Sequence, residues 1–255
     1  MNTIKILFEQ RTEPILNIYF TAGYPQLSDS SRILLELQAA GADLVEIGMP
    51  YSDPLADGLT IQQSSQKALE NGMTMDLLFE QLDAVKDQLD IPRILMGYFN
   101  QVMQYGVEDF LMKAKAVGVD ALILPDMPLY EYENYYQALF LKHDMGIAFL
   151  VTPQTSEERI RKIDALSTAF VYVVSTASTT GKQQGFSPEN KAYFQRIKNM
   201  KLKNPTLIGF GISTRDDFNM AAAYSDGAII GSAFIRALAG GEALEPTIQQ
   251  FVTAI

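Results

Sequence analysis

From one end of the chain to the other, short apolar runs alternate with longer stretches of helical period, and this alternation restricts the fold more than any other feature. An apolar run followed by an amphipathic stretch reads as a βα unit, whose successive strands pair in parallel beneath a layer of helices. Eight strands are predicted, over 15–21, 43–47, 93–98, 121–124, 147–151, 170–175, 206–210 and 227–230. Helical period fills 30–40, 74–89, 108–117, 130–143, 156–166, 188–199 and 214–223, and a further helix over 4–10 is predicted to cap the floor. Eight such units close on themselves, so the expected class is α/β, a single-domain (β/α)8 TIM barrel over residues 1–255 with an extra N-terminal helix. An open doubly wound sheet would share the alternation, but Ala22-Gly23-Tyr24-Pro25 stands where its Gly-x-Gly-x-x-Gly turn belongs. Ala40-Gly41-Ala42-Asp43, Val117-Gly118-Val119-Asp120 and Tyr224-Ser225-Asp226-Gly227 each precede a predicted strand, as helix-end and turn chemistry requires. No Pro-, Gly- or Ser-rich linker divides the chain.

Composition removes several kinds of chemistry. With no cysteine and a single histidine, His143, the chain has no disulfide, thiolate nucleophile, histidine metal cluster or Ser-His triad, and no metal site is expected. Acid–base work falls to carboxylates, lysine or tyrosine. A formal charge of −10 argues against nucleic acid or an anionic membrane as partner, since both need clustered Lys and Arg. No run of about 18 apolar residues is present, and Glu9, Arg11 and Glu13 near the start do not fit a signal peptide, so a cytoplasmic location is expected.

Residues just past the strands of such a barrel are read together, because loops at that end build the site. Glu46 lies among Leu44, Val45 and Ile47 at the end of the second predicted strand, where an ionised carboxylate is costly unless paired or used; the plain alternative is an acid that turns to solvent. Asp57 follows in a loop of Gly, Pro and Ser, and the two acids form a candidate catalytic pair. Tyr98 and Asn100 follow the third strand and Asp126 the fourth. The long polar segment from Ser175 to Phe186 has the length of a lid. Gly209-Phe210-Gly211-Ile212-Ser213 and Gly231-Ser232 open onto helices after the last two strands, where backbone N–H groups and a helix N-terminus can hold phosphate.

These residues give the chain a strong resemblance to the α subunit of tryptophan synthase. Its centre is Glu46-Ile47-Gly48-Met49-Pro50-Tyr51-Ser52-Asp53-Pro54-Leu55-Ala56-Asp57-Gly58, supported by Tyr19-Phe20-Thr21-Ala22-Gly23-Tyr24-Pro25, Leu124-Pro125-Asp126-Met127-Pro128, Thr179-Thr180-Gly181 and the two glycine turns. The resemblance implies retro-aldol cleavage of indole-3-glycerol phosphate to indole and glyceraldehyde 3-phosphate without a cofactor in this chain. It implies Glu46 as general acid–base and Asp57 as acceptor for the indole N–H. It places Tyr19, Ile61, Met96, Ile123, Tyr172 and Phe210 around the ring, Thr180 against Asp57 on lid closure, and Gly181, Gly211, Gly231 and Ser232 at the phosphate. Leu59 stands where the family signature has proline, and Tyr19 where phenylalanine is common.

The same resemblance implies an α2β2 heterotetramer with a pyridoxal-phosphate-dependent β subunit that receives indole through a tunnel and joins it to serine. Pro50, Asp53, Asn100 and Asp126 match the contact surface for that partner. Two other readings share these residues: a free-standing indole-3-glycerol-phosphate lyase, and a noncatalytic activator of a β subunit, against which the intact Glu46 and Asp57 speak. A Schiff-base aldolase would need a lysine at a strand end inside the barrel, and Lys182 and Lys203 lie elsewhere.

Overall fold

The computed structural model describes residues 3–55, 57–175, 186–241 and 243–255. Its eight strands, β1 (Ile15–Thr21), β2 (Leu44–Gly48), β3 (Arg93–Met96), β4 (Ala121–Ile123), β5 (Gly146–Val151), β6 (Val171–Val174), β7 (Thr206–Gly209) and β8 (Gly227–Ile230), pair in parallel and in order into a closed barrel. All seven residues of β1 are buried, as expected of a strand covered on both faces. Expected and observed strand ends differ by a residue or two. In β2 the shift matters: the strand runs on to Gly48, so Glu46 sits at its middle rather than at its end.

The helices follow the expected order with three corrections. The stretch expected over 74–89 is an α-helix, Met75–Asp83, followed by a 3-10 turn, Lys86–Gln88. The stretch expected over 130–143 contains a π-helical turn, Tyr132–Tyr136, which sets the fully buried Tyr132 edge-on against Phe140 and Phe149. Helices Leu59–Glu70, Phe99–Tyr105 and Leu244–Ala254 lie outside the expected stretches, although Leu244, Ile248 and Val252 of the last recur at helical spacing and are buried. The first helix, Thr3–Gln10, closes the floor as expected: Ile4 is buried, Phe8 meets Phe170, and Thr3 donates to Asp120.

The weak internal similarity has a physical basis at that floor. Asp43, just before β2, accepts the Leu16 N–H of β1 at 2.9 Å; Asp120, before β4, accepts the Arg93 N–H of β3 at 2.9 Å; Asp226, before β8, accepts the Thr206 N–H of β7 at 2.7 Å. Thr168, before β6, does the same for Ile147 of β5 at 3.0 Å. Each even-numbered strand is thus tied, just before it begins, to the strand that precedes it. These bonds satisfy N–H groups that the strand ladder leaves open at its lower edge.

Candidate active site

The opposite end of the barrel is assembled around two acids. Glu46 is fully buried, and its Oε1 accepts a 2.6 Å hydrogen bond from Nδ2 of Asn17, also fully buried, on β1. Among the described residues, Glu46 Oε2 and Asn17 Oδ1 have no partner. Burial pushes the Glu46 carboxyl up to about 8, against the single opposing bond from Asn17. Asp57 is half-buried between β2 and the helix Leu59–Glu70, and burial raises it too; the Tyr98 hydroxyl opposes this by donating to Oδ2 at 2.9 Å. Gln62 donates to the Asp57 carbonyl at 2.7 Å, fixing the backbone where the helix begins.

Two tyrosines join the acids into one pocket. Burial first, then Asp57 and Glu46, push the Tyr19 hydroxyl up, and burial, Glu46 and Asp57 do the same for Tyr172. Both rings rest on glycine. A Cβ on Gly48 would lie 2.0 Å from the Tyr19 hydroxyl, and one on Gly209 would lie 2.2 Å from that of Tyr172, so no side chain fits at either strand end. Tyr19 continues into a hydroxyl chain, 3.4 Å to Thr21 and from there 2.7 Å to Ser64. Ile61, Met96 and Ile123 are buried, and Met96 and Ile123 share one register line with Gly48.

Phe210 is half-buried, its ring 6.1 Å from Tyr172. Its φ of 73° is left-handed, as is the 74° of Gly211, a conformation that costs a residue with a Cβ about 1 kcal/mol or more. Ser175 holds it there, donating from Oγ to the Phe210 carbonyl at 2.6 Å and from N to Gly209 at 3.0 Å. Gly231 lies under the Tyr19 ring, and Ser232 begins the helix Ser232–Leu238, so this turn adjoins the aromatic wall. Thr180 and Gly181, and with them the body of the expected lid, lie outside the described residues.

The residues singled out in the sequence for a partner fall on the loops after β2 and β4 and at the start of the helix Phe99–Tyr105 after β3. Asn100 donates to the Tyr51 hydroxyl at 2.8 Å, Gln101 to the Pro50 carbonyl at 2.9 Å, and Asp126 accepts the Phe99 N–H at 2.8 Å. Tyr98, bonded to Asp57, also accepts the Leu55 N–H at 3.0 Å and packs 5.1 Å from the ring of Tyr51. Asp53, Asn100 and Asp126 are exposed, whereas Pro50 is buried. Leu55 and Leu59 stand 84% and 69% exposed beside them. Tyr98 was visible in the sequence only as a strand-exit residue, and Asn17 was missed. An asparagine in the apolar run of β1 carries the same signal that exposed Glu46.

Among the described residues no group of three or more His, Asp or Glu is placed to hold a metal ion, and no described lysine bonds Glu46 or Asp57. None of the described helices is long and apolar enough to cross a membrane.

Comparison with known proteins gives a consistent result. A family model described as "Tryptophan synthase alpha chain" matches residues 7–254. The chain is 52% identical over 246 residues to the tryptophan synthase alpha chain of Flavobacterium johnsoniae, covering 96% of each. It is 43% identical over 238 residues to that of Bacteroides thetaiotaomicron, covering 93% of each. Among solved structures, the tryptophan synthase subunit alpha of Legionella pneumophila superposes with a TM-score of 0.90 at 30% identity, covering 100% of this chain and 97% of that one. The tryptophan synthase complex of Pyrococcus furiosus gives a TM-score of 0.84 at 30% identity, covering 94% and 96%.

Proposed function

This chain belongs to the tryptophan synthase alpha chain family and is a lyase of tryptophan biosynthesis, and on that premise we propose how its residues carry the family's α reaction. That reaction is the retro-aldol cleavage of indole-3-glycerol phosphate to indole and glyceraldehyde 3-phosphate. Breaking the carbon–carbon bond requires a proton on C3 of the indole ring and removal of the proton from the adjacent side-chain hydroxyl. Glu46 does both in turn. As an acid it protonates C3; the carboxylate so formed takes the hydroxyl proton as the bond breaks, which returns Glu46 to the acid. The observation that carries the reading is a fully buried Glu46 with a single hydrogen bond, from Asn17; burial pushes its carboxyl up to about 8, where it serves both steps around neutral pH.

Asp57 accepts the indole N–H. Once C3 is protonated the ring nitrogen bears positive charge, so this bond strengthens along the reaction and lowers the barrier. Tyr98 keeps Asp57 turned to the site. Tyr19, Ile61, Met96, Ile123, Tyr172 and Phe210 hold the ring, and Gly211, Gly231 and Ser232 bind phosphate through backbone N–H groups. Thr180 and Gly181 complete the closed site, an assignment supported by the sequence signature alone.

The partner is a β subunit carrying pyridoxal phosphate in an α2β2 assembly in the cytoplasm, with indole passed directly to it. The contacts around Tyr98 support this: it bonds Asp57 and the Leu55 N–H, packs on Tyr51, which Asn100 bonds, and precedes Phe99, whose N–H Asp126 accepts, so ordering this surface from outside also orders a catalytic acid. One experiment tests both parts: indole release by the purified chain with and without a cognate β subunit, with Glu46→Gln as control. Slow release that rises sharply on adding β and disappears in the variant is expected. Fast release without β would indicate a free-standing lyase, and release by Glu46→Gln at the wild-type rate would overturn the role of Glu46.

A further inference from the structure

Asn17 and Glu46 face each other across β1 and β2, fully buried, with one 2.6 Å bond between them and, among the described residues, one unpartnered oxygen on each. For a purely structural pair this is a poor arrangement, because a buried acceptor without a donor is costly and two apolar side chains would fill the same space. The arrangement makes sense for a carboxyl that changes protonation state. A carboxylate uses only donors, whereas a carboxylic acid also needs an acceptor for its O–H. A primary amide offers both at the same reach, and half a turn about its terminal bond exchanges them.

We infer that Asn17 is a positioning residue that bonds Glu46 in both of its protonation states, donating from Nδ2 to the carboxylate and, with the amide turned over, accepting at Oδ1 from the acid. The inference rests on the assignment of Glu46 as the acid–base. In that cycle Glu46 gives one proton to carbon and regains one from the substrate hydroxyl, so it passes from acid to carboxylate and back with no net proton exchanged. A partner that fits only one form would pull the carboxyl toward that form; the amide lets it stay in place through both. The other titratable groups facing Glu46 are Tyr19 from β1 and Tyr172 from β6, and Asp57 from the following loop faces the same two tyrosines. The Tyr19 hydroxyl is engaged with Thr21. Among the described residues Asn17 is the one hydrogen-bond partner of Glu46, and it is therefore the neutral neighbour that can adapt.

Two measurements test this. In the wild-type chain, the side-chain amide resonances of Asn17 are followed by NMR against pH beside the infrared carboxyl band of Glu46, isolated by subtracting Glu46→Gln. Both are expected to titrate with one midpoint, and the amide to stay flat in Glu46→Gln; a flat amide in wild type overturns the inference. Second, kcat and KM are measured across pH for Asn17→Leu and Asn17→Gln. Because Asn17→Leu removes a partner of both forms, the carboxyl midpoint is expected to move by less than about one pH unit, while kcat falls about tenfold or more with KM within about twofold. Asn17→Gln, which keeps an amide that both donates and accepts, is expected to recover much of the rate. A midpoint in Asn17→Leu raised by well over one unit, the mark of a partner for the carboxylate alone, or a kcat within about twofold of wild type, would sink the idea. The amide titration needs no Asn17 variant and no turnover, so it reads the pairing even if Glu46→Gln proved active and the catalytic assignment failed.

Discussion

The two ends of the barrel use the same functional group, a carboxyl, for opposite purposes. At the floor, Asp43 bonds Leu16 N–H with one oxygen and Arg11 with the other, at 2.9 and 2.6 Å, and Asp120 engages Arg93 N–H and Thr3. Burial pushes Asp43 up, but these partners pull it back. At the mouth, Glu46 receives one bond and keeps a bare oxygen, and burial holds it near 8. A carboxylate surrounded by donors is a fastener. One left short of donors in a dry pocket is a proton carrier whose cost the rest of the fold must offset.

Glu46→Gln is the harshest way to break this contrast, and its effects run in opposite directions. Indole release is expected to fall by about 10² to 10⁴-fold, the range ordinarily lost with a general acid–base, while the fold becomes more stable. The sign follows from linkage. A buried acid raised from 4.5 to about 8 binds its proton more tightly folded than unfolded, so its stabilising contribution is present below pH 4.5 and is lost as pH rises through 8. Wild type is therefore expected to lose stability relative to the variant across that window, by a few kcal/mol at the alkaline end. Urea unfolding of both proteins at several pH values measures it; parallel curves would show that Glu46 carries no such penalty.

The floor should respond the other way. Removing the clamp with Asp120→Ala strands the Arg93 N–H and releases Thr3, which is expected to destabilise the chain by about 2 kcal/mol with kcat within about twofold of wild type once folded. A floor variant that lost activity without losing stability would erase the division between the two ends. Tyr98→Phe acts at the seam between site and surface. It removes the donor to Asp57 and the acceptor for Leu55 N–H while leaving the ring against Tyr51. A roughly tenfold fall in turnover is expected, equivalent to one hydrogen bond to a charged group. Stimulation by the β subunit should weaken with it. Full stimulation in Tyr98→Phe would mean that the surface reaches Asp57 by another route.

The floor and the mouth also differ in how far the sequence discloses them. The strands are legible because a parallel strand buried on both faces must be apolar throughout, and β1 and β8 are found at their expected bounds. Three of the four floor clamps show as Gly-x-Asp-like or Ser-Asp-Gly turns before a strand; the fourth uses Thr168 and leaves no matching pattern. Glu46 and Asp57 are legible as acids in places that penalise acids. Their partners are not, because Asn17 lies 29 residues from Glu46 and Tyr98 41 residues from Asp57, and only the pairing of β1 with β2 and of β2 with β3 brings them together. The helix Leu59–Glu70 is hidden for a related reason: its buried face, Ile61, Ser64, Ser65 and Ala68, has helical spacing but half of it is serine, and Ser64 is spent on Thr21 inside the barrel.

The smallest effect comes from Leu59, one of the two residues read as departures from the expected family signature. Leu59 is the first residue of the helix that follows Asp57, and Gly58 before it has φ −71° and ψ 162°, the extended conformation that a following proline demands. The first bonds of this helix run from Ile61 and Gln62 to the Gly58 carbonyl, so the N–H of Leu59 takes no part in them. Proline at such a position loses no helical bond and restricts the unfolded chain. Leu59→Pro is therefore expected to stabilise the isolated chain by about 0.5 kcal/mol and to firm the loop that carries Asp57. The leucine side chain is 69% exposed beside Leu55, so the same change removes an apolar group from the surface proposed to meet the β subunit. Comparing unfolding with β-subunit affinity separates the two roles. A stabilised chain that binds β as well as before marks Leu59 as a tolerated substitute for proline, whereas one that binds more weakly marks it as a contact this chain has gained at the expense of a stiffer loop.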